Sequence, residues 1–404
     1  MNMQPTVLIT LGRLPKALDL ARGFRAIGWR VIVAEPFRWH LTRMSRDVAR
    51  SVQVSAPATD QTAYLDDLVA LIRSENISLV VPVSEEIMHT SFLHTRLREL
   101  PDVALFCPPP ETLLPLHDKW RFTEVCAALG MAAPATARGD VPDAVAVVVR
   151  SPYVVKPRLS CSGNGVSFHA ADEPFAAPEG SIAQAKIDGP VMSSFALAHD
   201  GEVACLVLYR AAILSGTVAV AFERVPQSDP SFAPACEWVQ AFIARTRYTG
   251  FISFDLIMDT SGKVYGIECN PRATSGLHFV EAADLARAIV AIARKQTVPS
   301  VGARALGTLM QFYPTLTEVQ KGMFKRGFFA RLTRFLRAKD VSFQWRDPWP
   351  FWTMTFTAWN IIWMSIKRGV TFGEVATLDI GWYADLAGEI DPSAPTGEKS
   401  DAKV

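Results

Sequence analysis

The segment GFISFDLIMDTSGKVYGIECNPRATSG, residues 250–276, constrains this chain more than any other. Two apolar runs flank Asp259-Thr260-Ser261-Gly262, a cluster of turn formers, so the spacing predicts a β-hairpin. Side chains alternate across a strand, which puts Glu268 and Asn270 on one face and Ile267 and Cys269 on the other. A tight turn centred on Thr260-Ser261 sets residue 255 near 266, making Asp255 and Glu268 diagonal neighbours on that face. Two carboxylates and an amide oxygen converging without a nearby lysine pair repel one another unless a cation joins them. Hard oxygen donors of this kind suit Mg2+, which takes one or two carboxylates and completes its shell with phosphate oxygens and water. Arg272, two residues on, is placed to contact a transferring phosphoryl group.

Upstream, residues 6–115 alternate buried strands with helices. Apolar runs at Thr6–Thr10, RVIVAEP (30–36) and SLVVPVSEE (78–86) read as strands covered on both faces. A helical pattern with Leu18, Ala21, Phe24 and Ile27 on one face stops at Gly28. This is a doubly wound α/β unit, whose ligands sit beyond the carboxyl ends of its strands. Gly12-Arg13-Leu14-Pro15 lacks a G-x-G-x-x-G fingerprint, so dinucleotide binding is only weakly supported. From Leu116 a helix, HDKWRFTEVCAALG, leads into a strand-rich stretch with a hairpin turn at His199-Asp200-Gly201-Glu202 and a closing helix near Phe279–Arg294.

The resemblance is carried by the string G-(x)4-D-(x)12-E-x-N-P-R. It resembles the metal-binding hairpin of ATP-grasp ligases, in the carbamoyl-phosphate synthetase large-subunit branch. On that resemblance Asp255, Glu268 and Asn270 hold magnesium, and Arg272 steadies the γ-phosphate or an acyl phosphate. YVVKP (153–157) looks like the family strand whose lysine, here Lys156, reaches the α- and β-phosphates, with Lys119 in HDKWRF as a second contact. The loop RLSCSGNGV (158–166), with Ser162, Gly163 and Gly165, resembles the loop that closes over the triphosphate. In IAQAKIDG (182–189), Gln184 and Gly189 match the adenine segment. Ala185 and Pro190-Val191 stand where the family carries acids for the ribose, so the adenine edge falls to the backbone of Gln184, Ala185, Lys186 and Ile187. His278 is a candidate to act on the nucleophile, although a loop histidine is more often a hydrogen-bonded structural residue. Thr274 and Ser275 are placed to orient a carboxylate. Glu85 and Glu86 lie at a strand end where ligands collect, or simply start a helix.

The fold class implied is α/β. An N-terminal α/β pre-ATP-grasp domain (1–115) precedes a two-lobed ATP-grasp domain (116–300) with a mobile lid lobe at 152–212. A C-terminal helical, aromatic-rich subdomain (301–392) and a disordered tail (393–404) follow. The chain's 404 residues fit several units rather than one core. The activity implied is ADP-forming ligation of a small carboxylic or amino acid to an amine or other nucleophile, inter- or intramolecular. ATP and two Mg2+ ions are the cofactors, with Mn2+ able to substitute. The competing readings are a catalytically inactive nucleotide-binding protein and a bicarbonate-using carboxylase or carbamoyl-phosphate-type enzyme. A net charge of +1 gives no reason to expect nucleic acid. The six dispersed cysteines and the lack of a signal peptide point to the cytoplasm. A homodimer is allowed. Residues 321–339 are basic and amphipathic and 345–369 rich in tryptophan; a packed subdomain is favoured there over a membrane-surface contact.

Overall fold

The computed structural model describes residues 4–160, 165–176, 179–304, 307–323, 326–368 and 375–383; the expected tail at 393–404 lies outside them. The apolar runs of the N-terminal region become parallel strands β1 (Thr6–Ile9), β2 (Arg30–Glu35), β3 (Arg50–Gln53), β4 (Leu79–Val81) and β5 (Ala104–Leu105). Their order is β3-β2-β1-β4-β5, the doubly wound arrangement expected. The turn after β1 is closed from within. Glu35 accepts from the N–H groups of Gly12 (2.8 Å) and Arg13 (2.9 Å), so the donors a bound phosphate would need are already used.

A four-stranded sheet follows, built from β6 (Thr136–Arg138), β7 (Tyr153–Pro157), β8 (Ser167–His169) and β9 (Ser181–Ala185) in the order β6-β9-β7-β8. The third sheet contains β10 (Val191–His199), β11 (Glu202–Ser215), β12 (Val218–Arg224), β13 (Gly250–Met258), β14 (Val264–Asn270), β15 (Thr308–Met310) and β16 (Lys339–Asp340). Its order is β14-β13-β10-β11-β12-β15-β16. The four-stranded sheet thus runs from 136 to 185, against a lid lobe expected at 152–212. The apolar β10 pairs with β13, which draws 191–212 into the large sheet. The stretch after residue 301 packs on both the large sheet and the first unit: β15 pairs with β12, and Arg22 and Asp347 join the first unit to it at 3.0 Å.

The expected helix from His117 forms, and an unexpected one precedes it. Asp118 accepts from the N–H of Trp120 at 2.9 Å and caps a helix spanning Lys119–Ala128, while His117 ends the preceding one, Pro110–His117. Beneath the large sheet, Phe122, Trp238, Phe242 and Phe254 pack with Leu256 and Cys269. Gly266 completes this layer, because a Cβ there would lie 2.5 Å from the Trp238 ring, whose Nε1 is held by the Ala132 carbonyl at 3.1 Å. Gly266→Ala is expected to destabilise the fold by about 1–3 kcal/mol through overpacking, read as a lower urea midpoint.

Candidate active site

The hairpin forms where expected, but its register differs. Met258 pairs with Val264 and Leu256 with Gly266, which by simple continuation would set Asp255 against Ile267 and turn Glu268 to the other face. A β-bulge at Ile267 intervenes, and Asp255 pairs directly with Glu268, with Ser253 opposite Asn270. The carboxylates are thus opposed rather than diagonal. A bulge adds one residue and re-aims the side chains beyond it. The row continues across the sheet, since Asp255 also pairs with Ser193, whose hydroxyl donates to Asp255 Oδ1 at 2.6 Å.

The lysines are closer than expected. Lys119 Nζ lies 3.6 Å from Glu268 Oε1 and donates to the Ser160 carbonyl at 2.7 Å. Lys156, buried on β7, donates to Gln184 Oε1 at 2.9 Å, and Gln184 is held in turn by Thr136 at 3.1 Å. Burial lowers the Lys156 ammonium from the usual lysine range, against the attraction of Glu268. The carboxylates do not face one another alone, because Lys119 supplies part of the missing positive charge. It does not supply all of it. Burial and then the Glu268 charge push the Asp255 carboxyl up to about 6. A divalent cation bound between the two carboxylates would favour the ionised form of Asp255 against both causes.

Among the described residues no three His, Cys, Asp or Glu side chains converge on one point. The donor set is two carboxylates and the Asn270 amide oxygen, which already accepts from Arg272 at 2.9 Å. This fits Mg2+ bound jointly with phosphate oxygens better than a metal caged by protein alone.

Arg272 turns toward the first unit, its Nε 2.7 Å from Glu85 Oε1. Glu85 is therefore part of the site, not a solvated helix start. Burial works to raise its carboxyl, but the Arg272 charge, and after it that of His117, hold it below the usual range. Lys16 donates to the Ala273 carbonyl at 2.7 Å, and burial followed by the Arg272 charge brings its ammonium down to about 7. Glu86 instead accepts from the Val83 N–H at 2.7 Å and closes its own loop. Sequence reasoning missed Lys16, Ser193 and His117. The position of Lys16 just after β1, at the carboxyl end of the parallel sheet, was the available signal.

Other expected residues fare differently. His278 is buried, with Nδ1 2.8 Å from Asp19 and its ring stacked on Phe222, which is the structural role. Thr274 bonds Ser253 at 3.0 Å. The Ala185 and Lys186 N–H groups are taken by the carbonyls of Ala135 and Pro152, both at 2.8 Å, so neither can donate to adenine. Lys186 pairs with Asp188 at 2.8 Å. Ser162 and Gly163 lie outside the described residues. Gly165 has φ +70° and would drive a Cβ to 2.8 Å from Pro157, so only glycine suits the turn.

Residues 116–276 match the family model described as the ATP-grasp domain. Those residues form an ATP-grasp domain. ATP and Mg2+ are the cofactors such a domain takes. Solved structures agree on the fold. N5-carboxyaminoimidazole synthetase from Staphylococcus aureus superposes with a TM-score of 0.60 at 14% identity, over 80% of this chain and 88% of that one. The biotin carboxylase domain of 2-oxoglutarate carboxylase from Hydrogenobacter thermophilus, a dimer with MgADP and bicarbonate, gives 0.59 at 16% over 76% and 74%. An L-amino acid ligase from Bacillus licheniformis gives 0.52 at 17% over 72% and 71%. Comparison with curated proteins returned no match.

Proposed function

We propose that this ATP-grasp enzyme is an ADP-forming ligase that activates a small carboxylic or amino acid as an acyl phosphate and passes it to an amine. The observation that carries this reading is the direct opposition of Asp255 and Glu268, with Lys119, Lys156 and Arg272 around them. Asp255, Glu268 and Asn270 would hold the magnesium, which when bound neutralises phosphate charge. Lys156 and Lys119 bind the phosphates, Lys156 leaving Gln184 and Lys119 leaving Glu268 as nucleotide arrives. A substrate carboxylate oxygen attacks the γ-phosphorus and ADP departs. Arg272, oriented by Glu85 and Asn270, stabilises the equatorial oxygens in flight. The amine nitrogen then attacks the acyl carbon, forming the C–N bond and releasing phosphate, while its proton passes to solvent or to a site base.

Substrate choice belongs to the surfaces around Lys16, Glu85 and His117, at the carboxyl ends of the parallel strands. Phosphate release from ATP across a panel of amino acids and small carboxylic acids, with mass spectrometry of the products, tests the reading. Release that needs an acid and an amine supports it. Release driven by bicarbonate alone replaces it with carboxylation or carbamoyl-phosphate chemistry, and tight nucleotide binding without turnover on any substrate overturns the catalytic claim.

A further inference from the structure

Charge is distributed unevenly along this nearly neutral chain. Residues 319–368 hold ten Lys and Arg against two Asp, leaving 31 against 38 acids in the remainder. Both aspartates are occupied. Asp340 accepts from the N–H groups of Ser342 and Phe343 at 2.8 Å, and Asp347 is fully buried on Arg22. Lys321 pairs with Glu318 and Arg346 with Asp47, while Arg326, Arg334, Arg337, Lys339 and Lys367 stand exposed.

Among these cations lies an aromatic surface. Of ten tryptophans, Trp345, Trp349, Trp352, Trp359 and Trp363 are 51–89% exposed. A sixth exposed one, Trp39, meets Phe356 edge-on at 5.3 Å. Ring contacts join the patch: Phe335 to Phe312, Phe312 to Phe351, Phe351 to Trp352, and Phe343 to both Phe351 and Trp345. The helix Phe328–Arg337 packs Phe328, Leu332 and Phe335 inward. Phe329 and Leu336, seven residues apart and so on one face, are 79% and 72% exposed. A second apolar face therefore looks outward between arginines.

We propose that this face docks on an anionic lipid surface, its tryptophans in the headgroup layer and its arginines and lysines on the lipid phosphates. Tryptophan prefers that layer because its ring is apolar and its N–H polar. Amphipathic basic helices bind there through buried apolar area plus electrostatic attraction. A second copy of the chain is a poorer occupant, because a two-fold interface would set this cationic face against itself with no unengaged carboxylate within it. Among the described residues no helix is long and apolar enough to cross a membrane, so the contact is interfacial.

Flotation of the full chain with vesicles tests this, using phosphatidylcholine alone and phosphatidylcholine mixed with phosphatidylglycerol. The chain is expected to float with the mixed vesicles only, and to be released by high salt. Arg334→Ala with Arg337→Ala should weaken vesicle binding about thirtyfold. Trp345→Ser with Trp352→Ser should also release the chain, and both variants should retain wild-type MgATP binding. Failure to float with the anionic vesicles overturns the proposal, as does equal flotation with the neutral ones. So does a concentration-dependent dimer, seen in sedimentation and dissociated by the tryptophan variant, in the absence of vesicle binding.

Discussion

Glu268→Ala is expected to lower turnover at least about a thousandfold while leaving the fold intact. The variant removes one of two opposed carboxylates and with it the partner that holds Lys119 at 3.6 Å. Two consequences pull in opposite directions on nucleotide binding. The magnesium-dependent part of ATP affinity should fall, because the remaining donors are one carboxylate and one amide oxygen. Magnesium-free ATP binding should hold or tighten, because Lys119 is released toward the phosphates and a nearby negative charge is gone. Titrating ATP by calorimetry with and without Mg2+ separates the two. Equal losses in both conditions would mean that Glu268 is not a metal ligand.

Asp255→Asn carries the second large effect, a gain in stability together with a loss of activity. In the wild type, burial and the Glu268 charge raise the Asp255 carboxyl from its ordinary 3.8 to about 6. A carboxyl raised on folding favours the fold while protonated, so its contribution is fully present below 3.8 and is lost as pH climbs through about 6. Asparagine carries no charge and can still accept from Ser193. Without magnesium the variant should therefore exceed the wild type by about 2 kcal/mol at pH 8, allowing for the partial exposure of the site, and match it near pH 4. Adding MgATP should stabilise the wild type far more than the variant, reversing the order. Thermal melts across pH with and without MgATP measure both halves. A variant that is less stable at pH 8 without metal would show that Asp255 is satisfied by its protein neighbours.

The sequence carried the chemistry of this site better than its geometry. Alternating parity and the turn formers at Asp259–Gly262 were enough to expect Asp255 and Glu268 on one face. The bulge at Ile267 was not legible, because it reflects how β13 is held between β10 and β14. The helix Pro110–His117 was also missed, since it opens inside the proline run that closes PDVALFCPPP (101–110). Lobe boundaries depended on non-local pairing: β10 reads like any apolar strand, and only its ladder with β13 assigns it to the large sheet. Short strands such as β3, RSVQ, bury too little to show a period.

Charge partners were the least accessible part. Glu85 and Arg272 are 187 residues apart in sequence, yet 2.7 Å separates their side-chain atoms. His278 meets Asp19 across 259 residues. In each case the first unit's strand ends and helix face supply groups to the hairpin. Such pairings determine whether a residue such as His278 touches chemistry or holds two elements together.

Trapping with hydroxylamine tests the central claim most directly. An acyl phosphate at this site should be intercepted by hydroxylamine, giving a hydroxamate, phosphate and ADP in equal amounts. The account predicts hydroxamate from wild-type enzyme with ATP, Mg2+ and an accepted acid, and none from Glu268→Ala. ADP formation that depends on the acid but yields no hydroxamate or amide product would contradict it.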